Sequence, residues 1–507
     1  METNNHIYVV TLPLKTQPFQ EHLLNKMLIA SGKIHNAMNA KMYKIYDYVT
    51  QTNDYINATN KLKFLSNYSH QIKNTKNNIV DFRPFTKFGF VGFVGKFNKR
   101  YSNCGINSTL LQSIATNLFA GWDKLLKNKA KQVHYKKHGE YESLRWVVSN
   151  GRFCCLNLNL ENNTITIKYN KNKILTIPFL VNTNSLYELT ALSQEIRTIT
   201  IKKSIVRGKD KFFLNIGVKG KIYTKGRQLG VGSVGIDLGT STVAMVSDNN
   251  VRHDILAYGI DNIETKLKLK QRKLDRSIRA TNPSLFNDNG EIIKIKKGQK
   301  RNWIFSNNAI KLKKEIKELH RKSSVARKNK HIQLANIYLP SGNDFKVDSF
   351  NVSAAAKKST ESKIKKNGKI ASKKRYGKTI ANRAPSMFIE ILKNKVETLG
   401  GKFTKINNKN ATTQFDFTDS ETPFKPHSLN QRIITLSNGD IHSRDLLSAF
   451  NVKNIIVAEN DKKSVENYNV DKMRKDYTNF YKLEKCEIIK HKKRLKPTMK
   501  TVGVFNC

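Results

Sequence analysis

Apolar residues along this chain change their spacing several times, and each change marks an element. Ile7-Tyr8-Val9-Val10-Thr11-Leu12 reads as a short strand closed by Pro13. Leu24, Met27, Leu28, Ser31, Ile34 and Met38 then recur at helical spacing, as do Leu111, Ile114, Leu118, Trp122 and Leu125. Strand-like runs resume around Phe153 to Leu160, Thr164 to Tyr169, Ile174 to Phe179, Arg197 to Ile205 and Lys211 to Val218. Turns such as Glu161-Asn162-Asn163 and Arg207-Gly208-Lys209-Asp210 separate them. The order strand, helices, strands predicts a small N-terminal β-barrel interrupted by a helical insertion. Cys154 and Cys155 are read as strand residues.

The second half is α/β. Val234-Gly235-Ile236-Asp237-Leu238-Gly239-Thr240-Ser241-Thr242-Val243-Ala244-Met245-Val246-Ser247 places one carboxylate in an apolar strand, followed by a small-residue turn and another apolar strand. Aliphatic neighbours on both sides imply a strand buried on both faces, where an unpaired carboxylate costs several kcal/mol, so Asp237 is expected to face a cation or a basic partner. The alternative is a turn-forming Asp before Gly239. Lys266 to Ile278 and Ala309 to Leu339 then read as long basic helices, with Leu312, Ile316, Leu319, Ala326, Leu334 and Ile337 on one stripe of the second. Phe345 to Val352 alternates like a strand and carries Asp348, a weak signal taken alone, since an Asp that ends a strand is more often a turn residue. Ala356 to Lys378 is a Lys/Ser/Gly loop without apolar period. Pro385 suits the first turn of a helix carrying Met387, Phe388, Ile391, Leu392, Val396 and Leu399, which Gly400-Gly401 stops before the strand Lys402 to Ile406. His442 to Val452 opens a further helix with a third acid, Asp445, near its N-terminus.

Charge narrows the function. With 91 Lys and Arg against 39 Asp and Glu, the 507-residue chain has a formal net charge of +52 at pH 7. A polyphosphate partner neutralises such a field and releases counterions on binding, so nucleic acid is expected. Lys-rich connections with aromatics between them, such as His134-Tyr135-Lys136-Lys137-His138 and Tyr141 to Trp146, suit backbone and base-stacking contacts, or are solvated loops. The length suits about two to four domains. Hydrophobic content of 38%, with 25 Phe and 18 Tyr, is too rich for a disordered basic tail protein. The five cysteines, Cys104, Cys154, Cys155, Cys486 and Cys507, show no CxxC pair, which argues against a disulfide scaffold and a zinc site. No apolar run approaches the roughly 20 residues that cross a bilayer, and Met1 to His6 lacks a signal-peptide layout, so a cytosolic protein is expected.

The Asp237 hairpin resembles two families built on the RNase H topology: the actin-like and heat-shock-chaperone ATPases, and the RuvC-type nucleases. An ATPase handling soluble nucleotide has no need of the basic field. The series of hairpin, basic helices, strand with Asp348, Asn382-Arg383-Ala384-Pro385 helix and Ser443-Arg444-Asp445-Leu446-Leu447-Ser448-Ala449-Phe450 resembles the split RuvC nuclease of TnpB proteins and their descendants, the type V CRISPR effectors. Arg276 to Pro283 also resembles one TnpB branch. The motifs cover residues 230–454, whereas the N-terminal half matches only in outline. The resemblance implies a multidomain α+β protein with a wedge-like β-barrel (1–12 and 131–228), a helical recognition domain (13–130) and an RNase H-like RuvC domain (229–406 and 441–460). It further implies a target-nucleic-acid-binding-like insertion (407–440) and a basic C-terminal tail (461–507).

It implies a prokaryotic, nucleoid-associated RNA-guided DNA endonuclease. Its partners would be a guide RNA and double- and single-stranded target DNA, with no membrane. Asp237, Asp348 and Asp445 would hold two Mg2+ ions about 4 Å apart, with Mn2+ able to substitute. Two departures stand out. The family's second acid is usually Glu, so Asp348 is shorter by one methylene, about 1.5 Å of reach. Family members commonly carry two CxxC motifs between the second and third acids, whereas Asn407 to Ile441 has no cysteine, so that lobe is expected to fold without zinc. The Gln414-Phe415-Asp416-Phe417 and Ser437-Asn438-Gly439-Asp440 turns take the corresponding places. The shorter acid keeps open a nuclease-weakened RNA-guided DNA-binding protein acting as a repressor; an actin-like ATPase is a distant third.

Overall fold

The computed structural model describes residues 7–51, 86–148, 153, 155–170, 173–288, 290–295, 299, 301–358, 376–428, 431–456 and 463–494. Most of the Lys/Ser/Gly loop expected at 356–378, together with Cys154 and Cys507, lies outside these residues. The chain divides into two units, Met1–Tyr223 and Thr224–Cys507.

The first unit runs β1 (Ile7–Pro13), α1 (Pro18–Thr50), α2 (Lys87–Val94), α3 (Ser108–Leu126), β2 (Ser143–Val147), β3 (Leu156–Asn159), β4 (Thr164–Asn170), β5 (Lys173–Pro178), α4 (Leu186–Leu192), β6 (Glu195–Val206) and β7 (Lys209–Lys219). The expected barrel does not form among the described residues. An antiparallel sheet ordered β1-β7-β6-β2 and a separate meander β3-β4-β5 stay open, bridged at Leu14 and Phe179. The reason is that α1 and α3 lie in the same core as the sheet. Leu24, Ile34, Met38, Leu118 and Trp122 pack with Trp146, Ile199, Ile201, Leu214 and Ile216, so helices cover the apolar face that a barrel would enclose. Cys155 is a turn residue with φ 60° ahead of β3, not a strand residue.

The second unit is built on a five-stranded sheet of β8 (Ser233–Leu238), β9 (Thr242–Val246), β10 (Val251–Ile255), β11 (Asp344–Asp348) and β12 (Lys402–Ile406), ordered β10-β9-β8-β11-β12. The first three strands form an antiparallel meander; β11 and β12 run parallel to β8. Between β10 and β11 come α5 (Asp261–Thr281) and α6 (Asn307–Tyr338). Then α7 (Val352–Ala356), α8 (Gly377–Arg383) and α9 (Pro385–Thr398) lead into β12. The hairpin β13 (Ile433–Thr435) and β14 (Ile441–Ser443) precedes α10 (Arg444–Lys453) and α11 (Val470–Arg494).

Strand alternation sorts side chains onto two faces. Val234, Ile236, Leu238, Val243, Met245, Phe345 and Val347 pack with Ala335, Tyr338, Phe388, Leu392 and Val396 of α6 and α9. Ala244, Val246 and Val251 pack instead with Leu446, Ala449, Phe450 and Val452 of α10 and with Met473 and Phe480 of α11. Two of the sequence expectations need correction. On α6 the buried residues near the C-terminus are His331, Ala335 and Tyr338, whereas Ile337 is 46% exposed. The polar tips of His331, bonded to the Arg383 carbonyl, and of Tyr338, donating to Asp254, conceal the true stripe from a reading by hydrophobicity. The segment read as a basic tail contains a 25-residue helix, α11, with Met473, Phe480, Glu484 and Glu487 buried.

One backbone contact fixes α10 on the sheet. A Cβ on Gly235 would lie 2.0 Å from the Ala449 carbonyl oxygen and 2.4 Å from the Lys453 nitrogen, so the helix backbone sits directly on the strand. Lys346, on the same face of β11, donates to the carbonyls of Lys453 and Ile455 at 3.1 and 2.7 Å, placing a cation at the negative end of α10. Because the clashing atoms are backbone, Gly235→Ala is expected to destabilise the protein by about 3 kcal/mol or more. The melting midpoint should fall by roughly 6–12 °C in thermal unfolding.

Candidate active site

The period of two along β8 puts Ser233, Gly235 and Asp237 on the side of the sheet that faces α10. Val347 pairs with Ile236, so Asp348, the next residue of β11, comes level with Asp237 in the adjoining parallel strand. Asp445 occupies the first turn of α10, four residues ahead of Ala449, whose carbonyl lies over Gly235. A helical turn and a two-residue strand step therefore carry Asp445 and Asp237 in the same direction from that crossing.

Electrostatics show the convergence. Burial pushes the Asp237 carboxyl well above the ordinary carboxylate range, and the negative charges of Asp445 and Asp348 push it further. Arg444 and Arg432 pull it partway back. The Asp348 carboxyl is also raised, chiefly by burial, against hydrogen bonds from Thr412 and the Ser349 backbone that favour its ionised form. Thr412 Oγ1 donates to Asp348 Oδ2 at 3.0 Å and lies 3.2 Å from Ser448 Oγ on α10. Asp445 Oδ1 accepts from Arg444 Nε and Nη2 at 3.2 and 3.0 Å and lies 3.6 Å from Arg432 Nη1; its Oδ2 is 3.9 Å from His253 Nε2.

The three predicted acids thus lie toward one sheet face, with the charges of Asp445 and Asp348 raising the Asp237 carboxyl. Among the described residues, no group of three His, Cys, Asp or Glu side chains is placed so as to hold a metal ion. Two of the three acids face protein partners instead: Asp348 is turned to Thr412, and Asp445 to its arginines. The donor set is nevertheless of the kind that hard divalent cations take, three carboxylates whose mutual repulsion such a cation relieves. Sequence reasoning missed Thr412, His253, Arg432 and Arg444. Arg444 stands inside the motif that carries Asp445 and could have been found there; Thr412 gives no signal short of the fold.

The cysteine-free insertion is held by a polar clasp. Asp416 Oδ2 accepts from the Ser437 nitrogen at 2.9 Å and its hydroxyl at 3.0 Å, and Asp419 Oδ2 accepts from the same hydroxyl at 3.0 Å. The Lys425 ammonium bonds Asp419 at 2.8 Å, Asp416 at 3.3 Å and the Ser437 hydroxyl. The Lys425 ammonium holds Asp419 below the ordinary carboxylate range, hydrogen bonds from Thr418 and Ser437 lower Asp416 against its burial, and the two acids raise Lys425. Phe415 stacks on Tyr468 at 3.9 Å, and Asn451 Nδ2 donates to the carbonyls of Thr412 and Phe415, tying this lobe to α10.

No protein-family model matches the chain, and no curated protein matches it. Among solved structures it is similar to a Cas12f1–sgRNA–target DNA complex, at 13% identity and TM-score 0.48, over 87% of this chain and 83% of that one. It is similar to the mini-RNA-guided endonuclease CRISPR-Cas_phi3, at 10% identity and TM-score 0.40, over 91% and 94% of the two chains. It is also similar to an AacC2c1–sgRNA–extended non-target DNA ternary complex, at 9% identity and TM-score 0.30, over 83% and 69%. These neighbours are type V CRISPR effectors. Among the described residues, no helix is long and apolar enough to cross a membrane.

Two outcomes follow from this geometry. A carboxyl whose pKa is raised by folding takes stability away as pH climbs above the ordinary carboxylate range, about 4. Asp237→Asn is therefore expected to raise the melting midpoint of metal-free protein at pH 7 to 8, with the gain shrinking as pH approaches 4, and to abolish any stabilisation by added Mg2+ or Mn2+. Thermal scans across pH, with and without the ions, check both signs. For the insertion, Lys425→Met should speed limited proteolysis between residues 407 and 440, whereas a chelator should leave the wild-type cutting pattern unchanged.

Proposed function

We propose that this chain is an RNA-guided DNA endonuclease whose Asp237, Asp348 and Asp445 hold two divalent ions, normally Mg2+, for phosphodiester hydrolysis next to a short flanking motif. The observation that carries the reading is the meeting of these three acids on the α10 face of a sheet ordered 3-2-1-4-5 within its unit. The net charge of +52 supports a partnership with polyphosphate well beyond what one duplex contact needs.

Divalent ions, when held there, would supply an activated water and neutralise the leaving oxygen. The chain's own residues supply placement. Asp237 sits at the rigid centre of the sheet, between β9 and β11, and anchors the site. Asp348 and Asp445 approach from a strand end and a helix start, so each can turn from Thr412 or Arg444 toward an ion. Arg432 and Arg444, once released from Asp445, present guanidinium groups suited to the phosphates of the scissile strand. The guide would read sequence by pairing, with the protein reading duplex shape and the flanking motif.

A second reading has a specific observation behind it. Asp348 lacks a methylene of reach and is bonded to Thr412, which suits a guided binding protein with weakened cleavage. The test is a guided cleavage assay on the purified ribonucleoprotein. The protein is expected to copurify with a structured RNA, and RNA-free protein to bind a chosen target more weakly and with a different salt slope. Asp237→Ala and Asp445→Ala should abolish cleavage in Mg2+ and Mn2+ while leaving target binding within a few fold. Wild type should cut and Asp348→Ala should not. Tight guided binding by wild type without cleavage in either ion, restored by Asp348→Glu, would move the assignment to the binding protein.

A further inference from the structure

The helix stripe Met473, Tyr477, Phe480, Glu484, Glu487 on α11 begins apolar and aromatic and ends in two acids that are 1% and 3% exposed. Buried carboxylates persist where every oxygen finds a donor, so their partners show what the helix is for. Glu484 Oε1 accepts from the backbone nitrogen of Ser443 at 2.8 Å, and Ser443 is the N-cap of α10, two residues before Asp445. Glu484 Oε2 lies 2.5 Å from His442 Nδ1, and His442 Nε2 lies 2.8 Å from the Tyr477 hydroxyl, which donates to Asp440 at 2.5 Å. Since the single Tyr477 proton goes to Asp440, its oxygen accepts from His442 Nε2, and one proton lies between His442 Nδ1 and Glu484. The ring is thereby fixed at both nitrogens.

Glu487 acts on the other side of the same acid. Its Oε1 accepts from the His253 backbone nitrogen at 3.1 Å, in the middle of β10, and His253 Nε2 is 3.9 Å from Asp445 Oδ2. A third tie, Asp476 to the buried Lys453 ammonium at 2.9 Å, holds the far end of α10. Three acids of one helix therefore fix both ends of α10 and the residue facing Asp445.

We infer that α11 is a positioning element of the acidic site, with Glu484 the positioning residue for Asp445 through the Ser443 nitrogen and Glu487 for His253. This rests on the reading of Asp237, Asp348 and Asp445 as metal ligands. The side chain of Ser443 makes no capping bond, so its backbone donor is what Glu484 holds. Without that bond the first turn of α10 is free to fray, and Asp445 remains in place only on average.

The experiment uses the full chain with its guide and target, and reads Mn2+ binding by electron paramagnetic resonance beside target affinity and cleavage. Glu484→Ala is expected to weaken Mn2+ binding about 10- to 100-fold, the range typical for residues that orient metal ligands, with target affinity within a few fold. Glu484→Gln, which keeps an oxygen for the Ser443 nitrogen, should recover most of the loss. Ser443→Pro removes the donor at a φ of −68° that proline adopts, and its ring pushes the Glu484 carboxylate away, so it should weaken Mn2+ binding in the same direction even if Glu484→Ala fails to fold. Wild-type Mn2+ affinity in Ser443→Pro, or a loss in Glu484→Gln as large as in Glu484→Ala, would overturn the inference. Asp237→Ala is the separating control. If it binds Mn2+ as wild type does, the metal-site reading itself fails.

Discussion

The seating of α10 on Gly235 is the contact on which the second unit depends. It lets a helix backbone approach a strand more closely than any side chain allows, and it thereby brings the helix N-terminus within electrostatic range of two strand-borne acids. The sheet's other face is an ordinary apolar core against α6 and α9, which makes the platform stiff. Stiffness matters because the acids repel one another. Carboxylates brought this close would separate if their backbones could move; a glycine crossing, a parallel strand pair and a helix end capped by Lys346 deny them that freedom.

The basic excess is arranged with the same economy. Helix α5 has no buried residue at all and is joined to α6 by exposed pairs such as Lys270 with Glu315 and by the Ser277–Ser306 hydroxyl contact. Surface ion pairs of this kind contribute little. Its ends are tied by the Arg383–Asp261 ion pair at 2.8 Å and by the Asn282 side chain, which donates to the carbonyls of Ile278 and Ile304 and accepts from the Ile304 nitrogen. A long helix so weakly invested in any core makes sense as a carrier of charge. At the acidic site the sign reverses: Arg432 and Arg444 are spent on Asp445, and the buried Lys453 on Asp248 and Asp476. Those cations let a chain of this charge keep a cluster of acids.

What the sequence discloses depends on whether a residue's role follows from its neighbours along the chain. Asp237 was legible because aliphatic residues bracket it, and only a doubly buried strand needs them. Asp445 was legible because an acid in the first turn of an apolar helix is favoured by the helix dipole. Thr412 was not, since its meaning comes from the Asp348 oxygen 64 positions away. The barrel expectation failed for a related reason. Alternation specifies that a strand has an apolar face but not what covers it, and here α1 and α3 arrive before the sheet can close. The C-terminal helix is the sharpest case. Residues 473, 477, 480, 484 and 487 keep strict helical spacing, yet the last two are acids and seven lysines stand among the other positions of the helix, so mean hydropathy hides the stripe. A search by period, with acids admitted as core residues where a backbone donor can meet them, would have found it. Buried polar residues break the hydrophobic code at the places where a site must be held, and there their spacing identifies them better than their polarity does.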